Sequence, residues 1–170
     1  YTSIIVNDVL QGNSELGLCS NLSPDDPALC SLDRRVIHKE PVGLIVGKNH
    51  PFVHRSSVPI EDLRDERFIV YIRSFRGTNQ MLYDLCSPYG FEPNIAMEAY
   101  NDYGVLNSVA SGDGIAIIPT TRFLERPDVV RIPLDLKEPL MRDLTLIWRK
   151  NEKLPPAAAA FRDMLISTAQ

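Results

Sequence analysis

The chain has 170 residues, 44% of them hydrophobic, enough for one domain or two small lobes around a real core. Its 18 Lys and Arg against 22 Asp and Glu give a net charge of −4, and the basic residues are scattered, which argues against a nucleic-acid-binding surface in this chain. No apolar run approaches the ~20 residues of a membrane span, and no signal-peptide pattern opens the chain.

Tyr1 to Gly12 reads as the later part of an amphipathic helix carrying Ile4, Ile5, Val9 and Leu10, with Gly12 as its stop. An α/β domain rarely opens so abruptly, so at least one strand and part of a helix are expected upstream. Glu15 to Ser20 reads as a short strand. Asn21 to Ala28, with two prolines and two aspartates, reads as a loop or single turn. Leu32 to Lys39 and Val42 to Val46 read as two strands, the second continuously apolar and therefore buried. Gly47 to Pro51 is a turn that takes in His50, and Pro59 to Leu63 suits one helical turn. Phe68 to Tyr71 is a strand. After the loop Ile72 to Gly77, a helix from about Thr78 to Tyr89 places Met81, Leu82, Leu85, Cys86 and Tyr89 on one face. Asn94 to Glu98 is a further short strand.

The stretch from Val105 to Pro119 is the most informative. Val105, Leu106, Val109 and Ala110 share a helical face, and Gly112 sits where a helix C-cap needs a left-handed residue. Ile115 to Ile118 is an apolar run suited to a core strand, and Pro119 stops it. Ligands of α/β sheets sit outside the carboxyl ends of strands, which points to Thr120 and Thr121. Val129 to Leu134 and Leu144 to Trp148 read as strands. A last helix begins at Pro155-Pro156 and is expected to turn Phe161, Met164 and Leu165 inward. The alternation of strands with helices predicts a mainly parallel sheet or sheets. Cys19, Cys30 and Cys86 have no CxxC spacing and read as buried, reduced thiols of an intracellular protein.

Several segments, in order, resemble the effector-binding domain of LysR-type transcriptional regulators. Glu15-Leu16-Gly17-Leu18 resembles that family's "l-D-l-g-l" strand, with Glu15 where Asp is usual, and Glu40 to Val46 resembles its "e-p-l-x-l-v" strand. Lys48 to Phe52 resembles the "x-x-H-P-l" turn, Ile60 to Leu63 resembles "v-x-l-x-d-L", and Tyr89 to Pro93 resembles "G-f-x-P". The glycine turn at Gly112-Asp113-Gly114 and the returning strand Leu144 to Arg149 complete the set, which covers nearly the whole chain. The resemblance implies an α/β, two-lobed, type 2 periplasmic-binding-protein-like fold. Its Rossmann-like lobes are joined by two crossovers, with an N-terminally incomplete lobe I at 1–64 and 142–170 and lobe II at 65–141. It also implies a cytoplasmic homodimer or homotetramer that binds a small effector between its lobes, and DNA only through a helix-turn-helix upstream.

Arg73 to Asn79 follows a strand and opens a helix. Backbone N–H groups there, with Ser74, Arg76 and Thr78 as donors and Gly77 allowing close approach, suit an anion; ordinary capping by Ser74 or Thr78 explains the same residues. The resemblance places an effector contact at this helix start, which adds Phe75. It also turns Cys19, Ser20 and Asn21, at the end of the first strand, toward the same cleft. Asn101 and Asp102 precede a helix and Thr120 follows the core strand; capping and ligand contact both fit them.

Gly112-x-Gly114 is no dinucleotide loop, because it follows a helix and opens a strand. His50 and His54 are split by Pro51, Asp25-Asp26 lacks EF-hand spacing, and no GxSxG, HExxH or P-loop is present. With no catalytic set, no metal and no cofactor indicated, the leading expectation is a non-catalytic sensor of a small polar or anionic metabolite, a carboxylate or other oxyanion. A solute-binding protein of a transport system is the alternative.

Overall fold

A computed structural model describes residues 2–20, 22, 26–72, 78–120 and 126–169, apart from the side chain of residue 78. In chain order the elements are α1 (Thr2–Leu10), β1 (Leu16–Ser20), β2 (Leu32–Gly47), β3 (Arg67–Tyr71), α2 (Thr78–Cys86), β4 (Asn94–Ala99), α3 (Asp102–Ser111), β5 (Ala116–Pro119), β6 (Val129–Ile132), β7 (Met141–Arg149) and α4 (Pro156–Thr168). They fall into two compact units: unit 1, residues 1–40 and 142–170, and unit 2, residues 41–141. The resemblance assigned 41–64 to the first lobe. Instead Val42, Leu44, Val46, Phe52, Val58, Ile60 and Leu63 share one core with Phe68, Val70 and Leu82, which places this segment in unit 2.

In unit 1, β1 pairs antiparallel with β7, Leu18 opposite Leu146. The core is small: Val6, Val9, Cys19, Leu29, Leu32 and Ile147. Helix α1 buries Val6 and Val9, while Ile4 is 56% exposed. Apolar spacing thus found the helix; of the residues it singled out, Val9 is buried and Ile5 and Leu10 pack partly covered against the core. Arg149 secures the end of α1 by donating to the carbonyls of Val9 and, at 3.1 Å, Ser14. Its guanidinium also pairs with Glu152, whose carboxyl this holds below the usual range. Helix α4 departs furthest from expectation. It buries no residue, and Phe161 and Met164 are 48% and 51% exposed. The 161/164/165 spacing identifies an apolar face, but helical periodicity does not say what lies against it. Arg162 of α4 stacks its guanidinium 5.5 Å from the Trp148 ring.

In unit 2, β2 pairs antiparallel with β5 (Leu44 opposite Ile117) and with β6 (Leu44 opposite Ile132). Strand β3 pairs parallel with β4. It also meets the chain just before β5 in parallel: Ile69 N–H donates to Ile115 O and Ile115 N–H to Arg67 O, both at 2.8 Å. Pairing is therefore mixed, not mainly parallel. The parallel strands are the ones separated by helices, β3–α2–β4–α3–β5. Strand β1 pairs antiparallel with β7, and β2 with β5 and β6.

The glycine turn forms as expected. Gly112 closes α3 at φ +83°, and Asp113 N–H donates to Ser108 O at 3.0 Å. A Cβ on Gly114 would lie 2.3 Å from Arg67 O, so only glycine lets the chain approach β3 this closely. The expected strands 32–39 and 42–46 are one 16-residue strand, β2. Pro41 did not break it: proline offers no N–H, and its carbonyl accepts the N–H of Thr120 at 2.8 Å. His50 is a turn residue, its Nδ1 accepting the N–H of Phe52 at 3.2 Å. Cys19 and Cys86 are buried free thiols, but Cys30 is exposed, against expectation. It sits in a 3₁₀ turn, Pro27–Ser31, whose inward residue is Leu29.

Candidate functional site

Three parallel chain segments of unit 2 end together. Strand β3 stops at Tyr71, β4 at Ala99 and β5 at Pro119. Helix α2 opens at Thr78 and α3 at Asp102, so two helix N-termini arise beyond these ends, each with first-turn N–H groups that have no partner within the helix and with the positive end of its dipole. Ligands of α/β sheets gather at such an edge.

The edge is braced by short polar contacts. Ile72 N–H donates to Ala99 O at 3.1 Å, linking the two strand ends. Asn79 Nδ2 donates to Tyr71 O at 2.7 Å, fastening the first turn of α2 to β3. Tyr71 donates its hydroxyl to the Asp102 carboxylate. Asn101 Oδ1 accepts the N–H of Gly104 at 2.9 Å, so Asn101 is the N-cap of α3. Thr120 donates its hydroxyl to Pro41 O at 3.0 Å. Tyr100 and Tyr103 stand 74% and 70% exposed beside this edge.

The two helix starts differ electrostatically. Asp102 already occupies the first turn of α3, whereas the first turn of α2 carries no acidic residue. An incoming anion meets a carboxylate at α3 and none at α2, so α2 is the better anion site.

The expected site residues fare unequally. Thr78, Asn101, Asp102 and Thr120 lie at this edge. Asn21, Ser74, Phe75, Arg76 and Gly77 lie outside the described residues. Ser20 ends β1 in unit 1, its carbonyl accepting the Thr2 hydroxyl at 2.7 Å. The thiol of Cys19 is turned into the unit 1 core, 3.7 Å from Thr145 O, and burial pushes its pKa up to about 11, so this side chain is not presented to a ligand. Sequence reasoning did not single out Tyr71 and Tyr100, and took in Asn79 only as the end of the 73–79 loop. The available signal was position: each is the last residue of a strand, next to its end, or in the first turn of the following helix.

A separate groove of unit 2, about 660 Å³, is lined by Glu61, Tyr89, Asp135, Lys137 and Glu138 among others. It shares no residue with the strand-end edge, and its three carboxylates against one ammonium repel an anion. Among the described residues no group of three or more His, Cys, Asp or Glu is placed to hold a metal, and no helix is long and apolar enough to cross a membrane.

Residues 2–170 match the family model of the LysR substrate binding domain. The chain belongs to that family. This selects the regulator-type binding domain over the solute-binding protein of a transport system. AlsR of Bacillus subtilis, an HTH-type transcriptional regulator, is 32% identical over 155 residues, covering 87% of this chain and 48% of AlsR. GltC of the same organism, a transcriptional dual regulator, is 26% identical over 147 residues, 85% of this chain and 48% of GltC. The chain thus spans about half the length of these relatives, which are regulators by name and not enzymes. The effector binding domain of QuiR, solved with shikimate, superposes with a TM-score of 0.87 at 21% identity over 99% of this chain and 78% of that one. The Synechocystis CcmR regulatory domain, solved with 2-PG, gives 0.85 at 19% identity over 99% and 80%. These structural likenesses establish the fold: the α/β, two-lobed, periplasmic-binding-protein-like fold of LysR effector-binding domains.

Proposed function

We propose that this chain is the effector-sensing part of a cytoplasmic LysR-type transcription regulator and has no catalytic role. Its effector is a small carboxylate or other oxyanion, held at the α2 start by Thr78 and the Ser74–Gly77 segment, with Asn101, Asp102 and Thr120 along the same edge. The observation that carries this reading is the convergence of three strand ends on a helix N-terminus whose first turn lacks an acid. QuiR's partner in its solved complex, shikimate, is itself a small carboxylate. The chain works as a homodimer or homotetramer and reaches DNA through another part of the protein. Its net charge of −4 gives it no electrostatic footprint of its own on DNA.

A thermal-shift screen of small carboxylates and phosphate esters, followed by calorimetric titration, tests the site. Thr78→Val should weaken binding by about 1–3 kcal/mol through the loss of a hydroxyl that donates to the ligand. Unchanged affinity in both Thr78→Val and Arg76→Ala would remove the effector from the α2 start.

A further inference from the structure

The chain passes between its two units twice, once from residue 40 to 41 along β2 and once from 141 to 142 at the start of β7. Strands β2 and β7 are sheet neighbours. Polar contacts flank both passages, each within its own unit. Arg142 donates through Nε, at 2.9 Å, and through Nη2 to the same carboxylate oxygen of Glu40, and both side chains are largely shielded from water. Lys39 and Asp143 form a second, looser pair one residue further along, at 3.8 Å. On the other side of the passage, Val42 N–H donates to Leu140 O at 2.8 Å. Between these rungs stands Pro41, which donates nothing, and whose carbonyl takes both the N–H and the hydroxyl of Thr120.

We propose that the Arg142–Glu40 pair is a strap that makes the two crossover strands move as one, and that Thr120 couples the strand-end site to it. Glu40 adjoins Pro41, and Thr120 grips Pro41 from the end of β5. A ligand that claims the Thr120 hydroxyl therefore removes one of the two bonds that hold Pro41, the residue next to the strap. Two donors converging on a shielded carboxylate hold more firmly than an exposed ion pair, and loss of one partner leaves the other charge without compensation. Both residues are positioning residues, since neither lies at the strand-end edge. The coupling rests on the effector reading above; the strap itself does not.

Amide hydrogen exchange on the unliganded chain tests the strap without reference to any effector. In Arg142→Gln the amides of Val42 and Thr120 should exchange about tenfold faster or more. The Ile69 amide, bonded to Ile115 in the unit 2 core, should keep its rate. The charge-swapped double variant, Glu40→Arg with Arg142→Glu, should bring Val42 and Thr120 back toward wild-type protection. Unchanged exchange at Val42 and Thr120 would overturn the strap. A uniform rise that includes Ile69, or no recovery in the swapped variant, would overturn it too, because the pair would then serve only general stability. Unchanged effector affinity in Thr78→Val and Arg76→Ala, with the exchange pattern as expected, would overturn the effector reading and leave the strap standing; the two failures are thus read separately.

Discussion

Strand β2 runs through both units, and its halves are opposites. From Arg34 to Pro41 most positions face solvent, with only Ile37 and Glu40 partly covered, whereas every residue from Val42 to Gly47 is buried. The units repeat the contrast. Among the described residues, unit 2 gathers fourteen buried residues around Phe68 and Leu44 and a second group of eight around Ile69 and Leu106, while the largest group in unit 1 has six. Helix α3 buries three residues in its unit and α4 buries none in its own. A strand covered on both faces and a strand covered on one are different structural materials. The first fixes geometry tightly, and the strand-end site is built at the end of the first kind.

The comparison can be broken by mutation. Phe68→Ala, at a fully buried position of unit 2, should lower unfolding stability by about 3–5 kcal/mol. Phe161→Ala on α4 should cost about 1 kcal/mol or less, because half of its surface already faces water. Urea titration of both variants decides it, and equal losses would mean that α4 is covered as well as β3 is.

Between those extremes lies the contact that lets the glycine turn meet β3. Gly114→Ala should cost about 1–3 kcal/mol by forcing backbone apart, and the loss should appear as a lower urea midpoint with an unchanged slope. Asn101→Ala should cost about 1 kcal/mol through loss of the α3 cap, and Asn101→Asp should restore most of it; thermal melts of the three proteins test this.

The smallest effect is electrostatic and treats both units alike. Arg126 donates to both Asp128 oxygens in unit 2, and Arg149 to both Glu152 oxygens in unit 1. These hydrogen bonds hold each carboxyl below its usual range. A lowered carboxyl favours the folded state above the unfolded pKa, and that contribution fades as pH falls through the folded one. Asp128→Asn and Glu152→Gln should each flatten the decline in stability between about pH 4 and 2, and leave the curve above neutrality unchanged. Both carboxylates are open to solvent on one side, so both changes should be slight.

What the sequence made legible follows the same division. The run from Val105 to Pro119 specified its helix, its left-handed Gly112 and its buried strand, because each local preference agrees with the packing around it. The strand-end site was legible as far as the alternation β3–α2–β4–α3–β5 puts helix starts beyond strand ends. The direction of β2, β6 and β7 was not, since nothing in an apolar run states which way its neighbour runs. Phe161 and Met164 show the limit of periodicity: a face can be read from spacing, its covering cannot. The expected strands 32–39 and 42–46 stop on either side of Glu40-Pro41, and the Thr120 donor that uses the Pro41 carbonyl lies 79 residues away. Cys19 was assigned to a ligand through the resemblance, and only three-dimensional placement shows its thiol in a core.

The central claim is that an anionic effector sits at the start of α2, where three strands end. Backbone amide shift mapping tests it most directly, with the chain titrated by whichever small carboxylate or phosphate ester most raises its melting temperature. The largest shifts should fall on Asn79, Gln80 and Thr120, with smaller ones at Asp102 to Gly104. Shifts centred on Glu61, Asp135 and Glu138, with Asn79 and Thr120 unmoved, would contradict the account.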